Sequence, residues 1–311
     1  MPSALSISNP LPAWRLNPGG VASAMPPVFS LPDFFEERQW TRFLADWCDT
    51  GQAVPRIGFQ GAGASREIVA LHEGLVLRSA FQPIFSASPL QPVAFEALVR
   101  AHIALDGQSV SPDALFASPR TQAQGVLLDR LCRLIHLLNF ERQASNSQAL
   151  YLNLSTAHLQ SVPQGEHGSF LNAMQAICAL PAARVILEIL ETQFDDHDGL
   201  SQIVQTFKDR GYRVAIDDFG ARHSNFDRLW ALTPDIVKID RELLLQADSN
   251  LRVRKILPKL VEIIHDLQAH VVCEGIETAQ QHALAVDSGV DLVQGYFFAR
   301  PASCLIQHIS N

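Results

Sequence analysis

Seven short apolar runs follow one another along the chain, and each carries a polar residue at or near its end. Val93–Arg100 encloses Glu96, Tyr151–Ser155 encloses Asn153, and Val185–Glu191 holds Glu188 and Glu191. Val214–Gly220 ends in Asp217 and Asp218, Asp235–Asp240 carries Lys238, Val271–Gly275 carries Glu274, and Leu292–Tyr296 carries Gln294. Longer amphipathic stretches separate the runs, an alternation that marks βα units and a largely parallel sheet. The pattern predicts strands over Ser79–Phe85, Val93–Val99, Ala149–Leu154, Arg184–Ile189, Arg213–Ile216, Ile236–Ile239, His270–Cys273 and Asp291–Val293. Helices are expected over Gln122–Leu138, Leu200–Asp209 and Leu251–Leu267. Seven or eight such units in a domain of about 240 residues fit a (β/α)8-type barrel. An open doubly wound sheet is the alternative, although no G-x-G-x-x-G follows the first strand.

One charge in an apolar strand is ordinary, but seven successive strands ending in Glu, Asn, Asp, Lys or Gln are not. A parallel barrel brings all its C-terminal strand ends to one face, where such barrels place their chemistry. The carboxylates of Glu96, Glu188, Asp217, Asp218 and Glu274 gathered there would repel one another and lose hydration unless cations neutralised them. Oxygen ligands without His or Cys point to hard ions such as Mg2+ or Mn2+. The adjacent Asp217 and Asp218 suggest two ions, because one carboxylate can bridge while its neighbour serves the second. Two such ions suit in-line attack on a phosphodiester. Lys238 would bond or deprotonate the attacking water, and Arg100, read as one helical turn past Glu96, could take a phosphate oxygen.

Composition narrows the partners. With 32 Asp+Glu against 24 Lys+Arg the net charge is -8, and no basic stripe is present to hold a nucleic-acid polymer or an anionic membrane. The five cysteines, Cys48, Cys132, Cys178, Cys273 and Cys304, are widely spaced with no C-x-x-C, as expected of reduced thiols. The first residues have neither a basic nor an apolar region of the secretory kind, and no run is long enough to span a bilayer. These features lead us to expect a cytoplasmic protein.

The first 65 residues read differently. Met1 to about Phe29 is rich in Pro, Ser, Gly and Ala and is expected to be a flexible arm. Ser30 could cap a helix that carries Phe35, Trp40, Phe43, Leu44 and Trp47 on one face, folded onto the main domain or offered to a partner. Gly51–Ser65, with three glycines among its middle residues, reads as a linker. Gly61-Ala-Gly-Ala-Ser65 lacks the preceding strand and following Lys of a nucleotide loop. The expected organisation is thus an arm, helix and linker over 1–65 and a barrel over 66–311.

The polar runs resemble those of EAL domains, phosphodiesterases that open cyclic di-GMP to linear pGpG. The signature Glu96-Ala-Leu98 is followed by Val99-Arg100, and Gln82-Pro-Ile84, Asn153-Leu-Ser155, Asp217-Asp-Phe-Gly220, Lys238-Ile-Asp240, Glu274-Gly-Ile-Glu277 and Gln294-Gly-Tyr296 stand around it. The resemblance runs from about Arg66 to the C-terminus, and the ordered set is far more specific than any one tripeptide. It implies a modified (β/α)8 TIM-like barrel with one antiparallel strand, preceded here by a short helical segment. It implies two divalent ions, the first held by Glu96, Asn153, Glu188 and Asp217, the second by Asp217, Asp218 and Glu274. Lys238 would orient or activate water, Gln82, Leu98 and Arg100 would touch substrate, Gln294 would form the pocket floor, and Glu191 would brace the loop after Asp218. Many members dimerise, so a homodimer is expected, with the N-terminal segment a candidate surface for a protein partner.

Departures from the family pattern cluster in one loop. Asp217-Asp-Phe-Gly-Ala-Arg-His-Ser-Asn-Phe226 has Arg222 for a usual glycine, His223 for a tyrosine and Asn225 for a serine, and Leu190 replaces a usual Thr or Ser. Two readings follow: a cyclic di-GMP phosphodiesterase, or a receptor that binds the same nucleotide and signals through the N-terminal segment or a dimer interface. A third, an acidic interaction module, would bind no nucleotide. His223 is surplus to a full ligand set, Asp195-Asp-His-Asp198 lacks EF-hand spacing, and Cys273 reads as a buried strand thiol. No GGDEF-like segment accompanies them.

Overall fold

The computed structural model describes residues 35–49, 52–61, 63, 66–161, 168–175, 177–178, 180–190, 197–221 and 226–306, all of them in one compact unit. The chain opens with β1 (Phe35–Glu36), α1 (Arg38–Ala45), β2 (Arg56–Gln60), β3 (Glu67–His72), β4 (Leu75–Ser86), β5 (Pro92–Ile103), β6 (Ser109–Val110), α2 (Pro112–Ala117) and α3 (Gln122–Glu141). It continues with β7 (Ala149–Leu154), α4 (Thr156–Ser161), α5 (Ser169–Gln175), β8 (Val185–Leu190), α6 (His197–Asp209), β9 (Arg213–Phe219) and α7 (Phe226–Leu232). The last elements are β10 (Ile236–Ile239), α8 (Arg241–Ser249), α9 (Leu251–Asp266), β11 (His270–Cys273), α10 (Ala279–Asp287) and β12 (Leu292–Val293).

The strand order β4-β12-β11-β10-β9-β8-β7-β5 closes through a further β4–β5 pairing, giving a barrel of eight strands. Seven of them are parallel to one another, while β4 is antiparallel to both β5 and β12. Closure excludes the open doubly wound sheet and agrees with the modified barrel. β7, β8, β10, β11 and β12 lie at or within one residue of their predicted places, and α3 and α9 span almost the predicted ranges. Thr121 starts α3 through a capping box with Gln124, and Thr278 starts α10 through one with Gln281.

Side chains two residues apart on a strand share a face. Ile84, Ala94, Tyr151, Ile186, Ala215, Ile236 and Val272 form one buried cluster inside the barrel, with Leu292 packed against it, so every barrel strand contributes. One step along each parallel strand, the same inward face presents Glu96, Asn153, Glu188, Asp217, Lys238, Glu274 and Gln294. On antiparallel β4 the corresponding step runs backward, from Ile84 to Gln82. A polar layer of eight side chains thus rests directly on an apolar one. Larger clusters outside the barrel pack its strands against the helices.

The N-terminal region departs from expectation. Strand β2 lies within the expected linker 51–65, pairs with β3 from Arg56↔Leu71 to Gln60↔Glu67, and makes the boundary at 65/66 run between two hydrogen-bonded strands. Gly58 is no breaker: Phe35↔Phe59 pairing brings the Phe35 backbone so close that a Cβ at Gly58 would collide with it. The helix starts at Arg38, later than Ser30 implied, because Phe35 and Glu36 are held in the sheet. Residues 1–34, including the expected arm and cap, lie outside the described residues. Trp40 and Leu44 of α1 are buried in the main core, so the aromatic face folds onto the domain. Leu44→Ala should therefore lower stability by about 2–3 kcal/mol in urea unfolding. A loss below about 0.5 kcal/mol, the size of a surface change, would show that α1 is not part of the cooperative unit.

Candidate active site

A regular strand would send Asp217 and Asp218 to opposite faces. The β9–β10 register slips here: Val237 faces Ile216 but Ile239 faces Phe219, so two residues of β9 stand against Lys238 alone. This bulge is built on Asp218, whose φ of 57° lies in the left-handed region, and whose N–H donates to Asp217 Oδ1 at 3.0 Å. A non-glycine residue held there costs of order 1–3 kcal/mol, a strain typical of functional sites. The bulge brings carboxylate oxygens of Asp217, Asp218 and Glu274 all within 4.8 Å of one another.

Lys238 lies beneath them, 1% exposed. Its Nζ is 2.6 Å from Glu274 Oε1, 3.0 Å from Asp217 Oδ1 and 3.9 Å from Glu96 Oε2, and it contacts Glu188 Oε1. Burial works against the ammonium, but Asp217, Glu188, Glu274 and Glu96 more than offset it and hold its pKa well above the ordinary range. The acids feel the opposite pressure. Burial pushes Glu188 and Glu274 well above the usual carboxylate range, with Lys238 pulling back and neighbouring carboxylates adding to the rise. Burial, then Asp217 and Asp240, push Asp218 up to about 6.

Amides tie the acids in place. Gln294 Nε2 donates to Glu96 Oε2 at 2.8 Å, and Asn153 Nδ2 to Glu96 Oε1 at 3.4 Å. Glu188 Oε2 is buried without a hydrogen-bond donor among the described residues. An uncompensated buried carboxylate oxygen, beside acids whose charge one ammonium cannot balance, is the environment a hard divalent cation fits. Asp217, Asp218 and Glu274 could hold one such ion through oxygen alone.

The layer opens into a pocket of about 320 Å³ lined by Gln82, Glu96, Asp217, Asp218, Lys238, Glu274 and Gln294. Sequence reasoning assigned no role to Asp240, Arg241, Gly275, Glu277, Gly295 and Tyr296, which also line it. Five of these stand within the quoted motifs and Arg241 directly follows one, and that was their available signal. Gly275 (φ 65°) allows Arg241 to lie across it, and a Cβ at Gly295 would collide with the Ile276 backbone. At the rim Arg241 Nη2 pairs with Glu277 Oε2 at 2.8 Å, and Arg300 lies over the Tyr296 ring.

Some expected site residues stand elsewhere. Arg100 is not a helical turn from Glu96: both belong to β5, where Glu96, Leu98 and Arg100 share one face because the strand continues to Ile103. Leu98 and Arg100 do not line the pocket, and Arg100 Nη1 donates to Val99 O at 2.9 Å. Glu191, Asp195 and Arg222–Asn225 lie outside the described residues. Leu190 ends β8, opposite Asp217. All five cysteines are free, and Cys132, Cys178 and Cys273 are buried. No helix among the described residues is long and apolar enough to cross a membrane.

The EAL domain family's sequence pattern matches residues 69–301. The chain belongs to the EAL domain family. Cyclic di-GMP phosphodiesterase NbdA of Pseudomonas aeruginosa is 29% identical over 232 residues, covering 71% of this chain and 28% of NbdA. Among solved structures, the Bacillus subtilis YkuI protein, with an EAL domain, in complex with substrate c-di-GMP and calcium, matches with a TM-score of 0.63 and 27% identity over 74% of this chain and 57% of that one. The Klebsiella pneumoniae BlrP1 manganese/cy-diGMP complex matches with a TM-score of 0.63 and 26% identity over 73% of this chain and 56% of that one. The chain spans less than half the length of the leading curated relatives it matches.

An acid whose pKa rises on folding holds its proton more tightly in the folded chain. Its contribution to stability is therefore present below the unfolded value of 3.8 and lost as pH rises through about 6. In EAL protein stripped of metal with a chelator, Asp218→Asn should melt at a higher temperature than the wild type at pH 7.5, and the gap should close as pH falls toward 4. A gap that is absent, or that widens in acid, would contradict the placement of Asp218 among buried like charges.

Proposed function

We propose that this EAL domain hydrolyses cyclic di-GMP to linear pGpG with two divalent ions, Mg2+ or Mn2+, held at the barrel mouth. The observation that carries the reading is the polar layer: every barrel strand contributes a polar side chain, and the acids surround a single buried ammonium. The name of NbdA and the ligands of the YkuI and BlrP1 structures support the substrate and the use of metal.

In this reading Glu96, Asn153, Glu188 and Asp217 hold the first ion, and Asp217, Asp218 and Glu274 the second. Bound there, such ions supply Lewis acidity toward phosphoryl oxygens and lower the pKa of water. Lys238, already ringed by acceptors, orients the attacking water. Gln294 fixes Glu96 and floors the pocket, Gln82 touches the substrate beside it, and Leu98 and Arg100 extend the contact along β5. Glu191 braces the loop that follows Asp218. Water's oxygen bonds to phosphorus, the bond from phosphorus to the 3′ oxygen breaks, and that oxygen takes a proton, so the ring opens to a linear product with a 5′ phosphate. A cytoplasmic location, a homodimer and a protein partner for the N-terminal segment belong to the same reading.

The test is chromatography of purified protein incubated with cyclic di-GMP and Mn2+ or Mg2+. Wild type should give pGpG, and Glu96→Ala should turn over about a thousandfold more slowly or worse. Equal rates would overturn the site assignment. Tight binding with no product would make the chain a receptor, the outcome that the altered loop at Arg222–Asn225 motivates.

A further inference from the structure

A second polar cluster lies away from the pocket, under the N-terminal helix. Asp129 and Arg133 stand one turn apart on α3, both buried, and form an ion pair through Asp129 Oδ2 and Arg133 Nη2. His158 on α4 completes the cluster, with its Nδ1 3.0 Å from Arg133 Nη2 and 3.4 Å from Asp129 Oδ2. The second carboxylate oxygen, Asp129 Oδ1, leaves the cluster and accepts the backbone N–H of Ser155 at 3.1 Å.

Ser155 is the first residue after β7, and its hydroxyl accepts the His158 backbone N–H at 3.2 Å, so it also starts α4. Two residues before it stands Asn153, the strand's member of the polar layer, donating to Glu96 at 3.4 Å. One buried carboxylate thus holds the point where β7 ends, and with it the height at which Asn153 is presented. The cluster is sealed from the side by aromatic rings: Phe170 of α5 lies 5.9 Å from the Arg133 guanidinium carbon, and Phe43 and Trp47 pack on Phe170 at 5.6 and 5.2 Å. Arg130 fastens the seal by donating to Trp47 O at 3.1 Å. Phe43 and Trp47 precede residue 69, where the family match begins, so this chain supplies part of the seal from its own N-terminal segment. Arg133 Nε and Nη1 are buried without a hydrogen-bond partner among the described residues. Asp129, by contrast, has a partner for each carboxylate oxygen, so losing the Ser155 bond would leave a buried oxygen unsatisfied.

We propose that Asp129 is a positioning residue for the metal site: by gripping the Ser155 backbone it fixes Asn153 against Glu96, under a lid that the N-terminal helix completes. This rests on the reading of Asn153 as a ligand. Groups that orient metal ligands from behind are worth about 10–100-fold in metal affinity.

The experiment is a calorimetric titration of the 311-residue chain with Mn2+, alongside circular dichroism to establish folding. Asp129→Ala should raise the Mn2+ dissociation constant about 10–100-fold. Asp129→Asn, which keeps an oxygen for the Ser155 N–H but loses the charge, should raise it by less, and it is the second variant should the alanine protein not fold. Combined with Asn153→Ala, the Asp129→Ala change should add nothing further, since both act through one ligand. An unshifted constant in either folded variant, or full additivity with Asn153→Ala, would overturn the positioning role. A wild type that binds no Mn2+ would overturn the underlying reading instead, so the two failures are told apart.

Discussion

A single ammonium group, Lys238 Nζ, makes the polar layer of this barrel physically tenable. Glu188 is as buried as the apolar residues around it, and Glu96, Asp217 and Glu274 converge on the same point. Carboxylates placed there alone would take up protons rather than stay charged. Lys238 offsets part of that pressure but is outnumbered, and surplus negative charge of this kind is what a hard cation would neutralise. Removing one partner of such a buried set is expensive, about 3–5 kcal/mol for simple pairs. The layer is therefore a structural commitment as well as a chemical one.

The rest of the fold can be understood as support for that layer. Apolar residues immediately below it close the barrel to water, and the period of two along each strand forces the next inward residue to the mouth. The one place where this period would fail is Asp217-Asp218, and there the β9 bulge bends the strand so that neighbouring residues face the same site. The strain of Asp218 is tolerated because the flanking register with β10 is otherwise complete. Outside the barrel, β1 to β3 and α1 extend the sheet and core at one side, adding to the family fold a segment that begins before its matched residues.

Much of this was legible in the sequence because polar residues punctuate the strands. β7, β10 and β11 were read to the residue, since each is a short β-branched or apolar run bounded by turn-forming residues. The long β4 and β5 were under-read because their hairpin continues beyond the apolar run into mixed positions such as Arg78 and His102. That under-reading also made Arg100 look helical. β2 was missed for a different reason: Gly58 signals a break in sequence, but its role is to admit the Phe35 backbone, a contact between segments that no local pattern records. Likewise, Lys238 and Glu188 were both visible as site residues, whereas their direct contact depends on barrel closure. The assignment of the two aspartates to one site came from chemistry, against the period-two expectation, and only the bulge explains how both can be true.

The most direct test of a cation-neutralised polar layer is equilibrium dialysis of purified, metal-stripped protein against Mn2+ at neutral pH, counting ions bound per chain at saturation. Two ions per chain is the expected result. Fewer than two at saturation would contradict the two-ion site, and none at all would mean that Lys238 alone balances the carboxylates.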